Sequence, residues 1–435
     1  MSKESKRHIC IGLTAHVDAG KTTLAEAMMF ETGKIRKLGR VDHGDTVMDT
    51  NTIERERGIT IFSSQAEIST GDLDITLLDT PGHIDFSAET ERTLQVLDYA
   101  IMVISGIDGV QSHTHIIWRL LSLYNIPTFV FITKMDFARK TREELLAELK
   151  SEFGEGFFDL SEIYSDTVQE EISFSREDVL EHYMEYGSVT DGQVRELIAS
   201  RLIFPCCFGS GLKLTGVSQF ISALERYTII KEYPDEFGAK VYKISHDAQE
   251  NRLTHLKVTG GKLRVKDSIF TGEQEEKVNQ IRIYSGAKYV TAEEVPAGAV
   301  CAVSGLSGSL NGQGLGIEAA SSGPVLEPVM SYRVVPPKGC DNRTLLNKLK
   351  LLEEEDPQLH VTWKEHLQEI NVGLMGEVQT EILKRLIAER FNIDVTIDSG
   401  RVLYKETIAN TVEGVGHYEP LKHYAEVHLI IEPLK

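Results

Sequence analysis

Ala15-His16-Val17-Asp18-Ala19-Gly20-Lys21-Thr22-Thr23 is the stretch on which the reading of the fold turns. It follows an apolar run, His8-Ile9-Cys10-Ile11-Gly12-Leu13, that reads as a buried strand, and it opens a helix expected over Gly20 to Phe30. A strand that ends in such a loop and runs straight into a helix is a phosphate loop. Its backbone N–H groups and the helix N-terminus cradle phosphate oxygens, Lys21 reaches the β and γ oxygens, and the Thr22 hydroxyl offers one ligand to Mg²⁺. Ala15 stands where the pattern usually has its first glycine. The plain alternative is an ordinary strand-to-helix turn with an exposed lysine, and the flanking strand and helix argue against it.

Outward from this loop, the first 230 or so residues alternate apolar runs with amphipathic segments. Strands are expected at Asp74 to Leu78, Ala100 to Ile104, Pro127 to Ile132 and Leu202 to Cys206, with helices at Ala88 to Leu97 and Ile116 to Leu123. That alternation implies right-handed βαβ units and a doubly wound, mostly parallel sheet, with ligands at the carboxyl ends of its strands. Three further loops fall at such ends. Asp79-Thr80-Pro81-Gly82 can place a carboxylate in the Mg²⁺ shell and an N–H at a γ-phosphate, although alone it is a common Pro-Gly turn. In Thr133-Lys134-Met135-Asp136, Asp136 can accept from the N1 and N2 positions of guanine, which adenine cannot supply, and Lys134 can lie over the base. Gly209-Ser210-Gly211, with Leu212 beside it, can present N–H groups to the guanine O6. Each is weak alone. Four in one order make a GTP-binding P-loop domain, expected over residues 1–232.

Beyond Tyr233-Pro234 the texture changes. Ala239 to Ile244 and Leu256 to Thr259 alternate at period two, punctuated by Gly260-Gly261, Gly298 and Gly305, which suggests an antiparallel β-barrel over 233–322. After a linker at Ser321 to Pro324, strand (Val329 to Val335), helix (Asn342 to Glu353), strand (Leu359 to Trp363), strand (Glu369 to Leu374), helix (Val378 to Phe391) and strand (Ile393 to Ile397) follow. That βαββαβ order is a ferredoxin-like α+β domain, expected over 323–400. His423 to Glu432 reads as a strand that stops without partners, so 401–435 is expected to begin a truncated fourth domain. The bland alternative is a last strand added to an earlier sheet.

Glu54-Arg55-Glu56-Arg57-Gly58-Ile59-Thr60-Ile61 and Asp79-Thr80-Pro81-Gly82-His83-Ile84-Asp85-Phe86 resemble the translational GTPases. Within them the chain is most similar to the elongation factor G group and its relatives, the tetracycline-resistance ribosomal protection proteins. Val258 to Leu263 with Asp267 looks like the second-domain barrel of these factors, and Glu355-Asp356-Pro357 with Gly376-Glu377-Val378-Gln379 looks like their third domain. The resemblance implies that Thr60 is a second Mg²⁺ ligand, and that loss of the γ-phosphate releases the segment from about Gly33 to Thr60. It implies that His83 orients the attacking water, Val17 and Ile59 form an apolar gate around it, and large-subunit rRNA of the ribosome draws it into place. His83 would otherwise read as a histidine satisfied by a nearby backbone carbonyl. Two features depart from the elongation factor G pattern: Thr133 replaces Asn, and only 73 residues separate Asp136 from Ser210. The second leaves little room for a large insertion and is closer to the protection proteins. The acidic pairs Glu170-Glu171 and Glu177-Asp178 in that interval read as a solvated face.

Composition sets the outer limits. The chain has 435 residues, about three domains at roughly 150 residues each. A net charge of -20 excludes a simple basic glove for nucleic acid, though not a ribonucleoprotein met through local patches. No apolar run is long enough to span a membrane, and five cysteines without CxxC spacing indicate neither a disulfide framework nor a zinc site. The expectation is a cytoplasmic GTPase that acts on the ribosome, uses GTP/GDP and Mg²⁺, meets no membrane, and is monomeric off the ribosome. Tetracycline protection leads. An elongation factor G-like translocase or paralogue comes next, then a GTP-loaded binding switch with negligible turnover, and a P-loop kinase last.

Overall fold

The computed structural model describes residues 7–48, 51–247, 249–272, 274–321, 323–398, 400–402, 408–419 and 424–433. Ser322 of the expected linker and His423 of the expected last strand lie outside the described residues.

In chain order the first unit runs β1 (Arg7–Ala15), α1 (Lys21–Glu31), α2 (Thr52–Arg57), β2 (Ser64–Thr70), β3 (Leu73–Asp79), α3 (Ser87–Leu94), β4 (Tyr99–Ser105), α4 (Ser112–Leu123), β5 (Thr128–Thr133), α5 (Arg142–Phe153), β6 (Phe157–Asp159), α6 (Asp166–Ser173), α7 (Glu177–Tyr186), α8 (Asp191–Ala199), β7 (Phe204–Phe208) and α9 (Val217–Tyr227). The strands form one sheet in the order β2-β3-β1-β4-β5-β7-β6. All neighbours are parallel except β2, which pairs antiparallel with β3. On the central strands alternate residues feed opposite cores. Ile101 and Val103 pack with α1 and α9, whereas Ala100, Met102 and Ile104 pack with α4 and α5. Burial on both faces explains why these strands read as unbroken apolar runs. The expected strand at Leu202 to Cys206 begins later, at Phe204, because Arg201 turns the chain in a left-handed conformation (φ 57°) after α8. Glu170, Glu171, Glu177 and Asp178 are exposed on α6 and α7.

The second unit carries β8 (Gly238–His246), β9 (Arg252–Gly260), β10 (Lys262–Arg264), β11 (Ser268–Phe270), β12 (Glu275–Lys277), β13 (Gln280–Ser285), β14 (Lys288–Ala292), β15 (Glu294–Pro296), β16 (Val300–Ser304) and β17 (Gly314–Gly316). Six of these form an antiparallel sheet ordered β14-β13-β16-β9-β8-β17, and β10-β15 and β11-β12 are separate pairs. Their inward residues, among them Val241, Leu256, Val258 and Val303, enclose one core. A buried ion pair fixes this unit to the first. Lys257 Nζ lies 2.6 Å from Asp98 Oδ1 and donates to the Val96 carbonyl at 3.0 Å.

The third unit has β18 (Met330–Val335), α10 (Asn342–Glu355), β19 (Thr362–Lys364), β20 (Glu369–Leu374), α11 (Glu377–Phe391), β21 (Thr396–Ile397) and β22 (Arg401–Val402). Its antiparallel order β19-β20-β18-β21 is the split βαβ arrangement. The strand expected from Leu359 starts only at Thr362, because Pro357 initiates a 3₁₀ turn through Leu359. The last expected strand is corrected too. β24 (Ala425–Ile431) does have a partner, β23 (Val412–Tyr418), in an antiparallel hairpin from Val412 opposite Ile431 to Tyr418 opposite Ala425. Both strands are exposed throughout. Gly414 and Gly416 hide the first of them from a pattern search, since glycine weakens a strand signal. No helix among the described residues is long and apolar enough to cross a membrane.

Candidate functional site

A cavity of about 600 Å³ opens at the carboxyl ends of β1, β3, β5 and β7. His16, Val17, Asp18, Ala19, Gly20, Lys21, Thr22 and Thr23 form its floor; Ile59, Thr60, Gly82 and His83 stand on one side, and Thr133, Lys134, Asp136, Ser210, Gly211 and Leu212 on the other. Ala15 and Asp79 do not line it. Ala15 closes β1 behind the loop, and Asp79 is buried behind Lys21 and Thr22. Lining residues that were not among the candidate site residues are Gly39, Arg40, Val41, Gly58, Ile107 and Phe137. Gly39, Arg40, Val41 and Gly58 fall within the Gly33 to Thr60 segment expected to respond to the γ-phosphate, Phe137 adjoins Asp136, and Ile107 had no signal.

The phosphate loop has the backbone its sequence requires. Asp18 and Gly20 are left-handed (φ 60° and 90°), so the loop curls above the start of α1. No side chain caps α1, and no acidic residue occupies its first turn. Its leading N–H groups therefore face the cavity, where an anion is favoured by the helix dipole. Lys21 donates to Asp79 and, at 3.3 Å, to Thr60 Oγ1. Thr22 Oγ1 lies 3.2 Å from both Thr60 Oγ1 and Asp79 Oδ2. Three hard oxygens converge on one point, which is the donor chemistry that Mg²⁺ takes.

Thr60 is held by α2. Glu54 Oε1 accepts from Ile61 N at 2.9 Å and Phe62 N at 3.0 Å, while Asn51 caps the helix. Further upstream, Glu26 on α1 accepts from Val47 N at 2.6 Å, so the preceding segment packs on the same helix. His83 begins a short turn into α3. Its Nδ1 accepts from Asp85 N at 3.2 Å, which places the ring proton on Nε2. His113 on α4 supports this turn from behind, with Nε2 3.1 Å from Ser87 Oγ, which in turn donates to Ile84 O at 2.7 Å. Burial and the neighbouring His16 push His113 down to about 4, so it is neutral at physiological pH.

At the opposite end, Thr133 donates to the Ala19 carbonyl of the phosphate loop. The hydroxyl thus ties the two loops together without an amide. Met135 N donates to Gly209 O at 3.1 Å, joining this loop to the next. Gly209 is needed there, because an added Cβ would lie 2.1 Å from Thr215 O. Burial raises the Asp136 carboxyl, but hydrogen bonds from Lys213 and Ser210 outweigh it and hold Asp136 below the usual carboxylate range. Lys213 Nζ sits 3.1 Å from Asp136 Oδ2. An ionised acceptor beside an N–H-rich loop selects a purine edge that donates twice.

α3 leaves this site as a hub. Glu89 meets Lys243 Nζ of β8 at 3.1 Å and Arg92 Nη2 at 2.8 Å. Arg92 Nη1 reaches Asp356 Oδ1 of the third unit at 2.8 Å. Burial would raise the Glu89 carboxyl, yet Lys243 and Arg92 hold it far below its ordinary value. Glu91 accepts from Val325 N at 2.7 Å and Leu326 N at 2.9 Å, gripping the chain between the second and third units.

A P-loop fold with these four loops is a GTP-binding domain, and comparison with known families agrees. The elongation factor Tu GTP-binding domain matches residues 6–229, elongation factor G domain 2 matches 236–314, and elongation factor G domain III matches 325–399. The chain belongs to the elongation factor G-like translational GTPases, and it is a GTPase. It is 31% identical to tetracycline resistance protein TetP of Clostridium perfringens, over 98% of this chain and 70% of that protein. It is 30% identical to elongation factor G 2 of Treponema pallidum, over 93% and 70% respectively. A crystal structure of a Thermus thermophilus protein superposes with a TM-score of 0.82 at 24% identity, covering 99% of this chain and 73% of that one.

Proposed function

We propose that the protein hydrolyses GTP on the ribosome as a tetracycline protection factor, releasing drug from the decoding centre. The α3 hub carries the coupling in this reading, because it ties the γ-phosphate side of the cavity to both following units. The protection role is favoured over translocation by the short span between Asp136 and Ser210 and by the likeness to TetP. A translocation factor of the elongation factor G type is the second reading, favoured by the equally distant Treponema relative.

Asp136 and the Ser210 loop hold the guanine, and Lys134 covers it. The α1 amides and Lys21 hold the phosphates. Thr22, Thr60 and Asp79 would hold Mg²⁺, which supplies positive charge to the β and γ oxygens when bound. His83 Nε2 orients a water in line with the γ-phosphorus, behind Val17 and Ile59. The water oxygen bonds to phosphorus as the bond to the β-phosphate oxygen breaks, and the water's proton passes to the released phosphate, giving GDP and inorganic phosphate. With the γ-phosphate gone, Thr60 and Gly82 lose their common ligand, and their movement reaches Lys243 and Asp356 through the ion pairs of α3.

The test is GTP turnover with and without ribosomes, with ATP as control, for the native chain and His83→Ala. We expect stimulation for GTP only, and a loss of about 10²- to 10³-fold in stimulated turnover in His83→Ala with GTP affinity nearly intact. Absent stimulation with GTP still bound would favour a binding switch. Drug release from tetracycline-loaded ribosomes then separates protection from translocation.

A further inference from the structure

The Asp85 carboxylate faces two ways. The Asp85 backbone N–H donates to His83 Nδ1, and the carboxylate Oδ1, 3.5 Å from that nitrogen, lies beside the ring without a bond to it. Its Oδ2, however, accepts from Val378 N at 2.9 Å and Gln379 N at 3.3 Å, at the start of α11 in the third unit. α11 has no cap of its own, since its N-cap residue is Gly376. Asp85 is thus the missing cap, supplied from 293 positions earlier in the chain.

Gly376 shows how closely the two units meet. Its φ of −168° is extended backbone that any residue adopts, so conformation does not demand glycine here. Space does. A Cβ at Gly376 would sit 2.3 Å from Asp85 Oδ1 and 2.4 Å from Cγ. Around this contact Phe86 of the His83 turn and Ile53 and Ile61 of the Thr60 segment share one apolar cluster with Ile382 of α11. Arg385 Nη1 meets Glu56 Oε2 at 2.5 Å, and Arg57 pairs with Glu381.

We propose that Asp85 is a positioning residue for His83, and that α11 sets the His83 ring by holding Asp85. This rests on the reading above in which His83 orients the water. While α11 is docked, the turn from His83 to Phe86 is pinned at both ends. When the third unit shifts, the two amide donors leave Asp85, the turn relaxes and His83 loses its fixed orientation. Hydrolysis is then confined to the docked arrangement of the third unit.

The experiment compares the native chain with Asp85→Ala, Gly376→Ala, the double variant, Asp85→Asn and His83→Ala, each with ribosomes. Turnover, KM for GTP, GTP affinity and melting midpoint are measured. Asp85→Ala and Gly376→Ala should each lower kcat by about ten- to a hundredfold while KM and affinity stay within about twofold. The double variant should be no worse than Asp85→Ala, because the atoms that a Cβ at 376 would strike are gone. Asp85→Asn keeps an acceptor for the amides and should retain kcat within about threefold of native. Full kcat in Gly376→Ala, or losses that multiply in the double variant, would overturn the proposal. If Asp85→Ala fails to fold, Gly376→Ala and Asp85→Asn still decide it. If His83→Ala turns over normally, the reading of His83 has failed; if only Gly376→Ala does, this inference alone has.

Discussion

The two ends of the nucleotide cavity are built differently. At the base end every described contact comes from strand termini of one sheet. Thr133 grips the phosphate loop, Met135 N grips Gly209 O, and Lys213 grips Asp136. At the phosphate end Thr60 and His83 lie on turns that α11 and α3 share with other units. In the proposed reading, recognition of the base therefore sits on loops of the sheet alone. The γ-phosphate would then be handled by segments that contact all three units, as a switch requires.

The sharpest way to break this contrast is at the base. Asp136→Asn keeps one carbonyl for guanine but sets an N–H₂ against the second donor. GTP affinity should fall by about 10³-fold, and xanthosine triphosphate, which offers a carbonyl there, should bind better than GTP. Equilibrium binding of both nucleotides checks it, and ribosome-stimulated kcat at saturation should survive.

Acid should strike the phosphate end instead. The folded chain keeps His113 neutral down to about 4, whereas the unfolded chain takes up its proton near 6.5. The unfolded state thus binds more protons between these values, so stability falls as pH drops from about 6.5 and levels near 4. The loss is about 3 kcal/mol in total. His113→Gln should flatten this dependence of the unfolding free energy; an unchanged slope would remove His113 from the account.

Two smaller effects sharpen the comparison. Thr133→Val strands the Ala19 carbonyl and should weaken GDP and GTP alike by about tenfold, read by nucleotide dissociation, with no change in kcat. Arg385→Ala removes an exposed pair with Glu56 at the other end. Stimulated turnover should change by less than about twofold, because surface ion pairs are weak.

What the sequence made legible follows the same division. Lys21, Thr22, Asp136 and Ser210 stood out because the chemistry proposed for them needs contiguous residues at strand ends, and they line one cavity, with Asp79 behind it. The third unit was readable because helix and strand periods alternate cleanly in it. Asp85 as a cap for α11 was invisible, since its partner lies in another unit and glycine at 376 answers to space rather than to backbone. Arg40 and Val41 reach the cavity by the path of an irregular segment that no periodicity marks. β23 escaped because its two glycines and exposed surface blur the alternation.

The buried pair of Lys257 and Asp98 has a practical consequence for anyone who wishes to express part of this chain. Cutting between the nucleotide domain and the barrel would leave Asp98 without its cation and open the covered side of β9 to solvent. Each half would bare part of the apolar cluster of Cys10, Leu78, Val96, Tyr242 and Val300, a recipe for inclusion bodies. The smallest fragment worth purifying is therefore the two together.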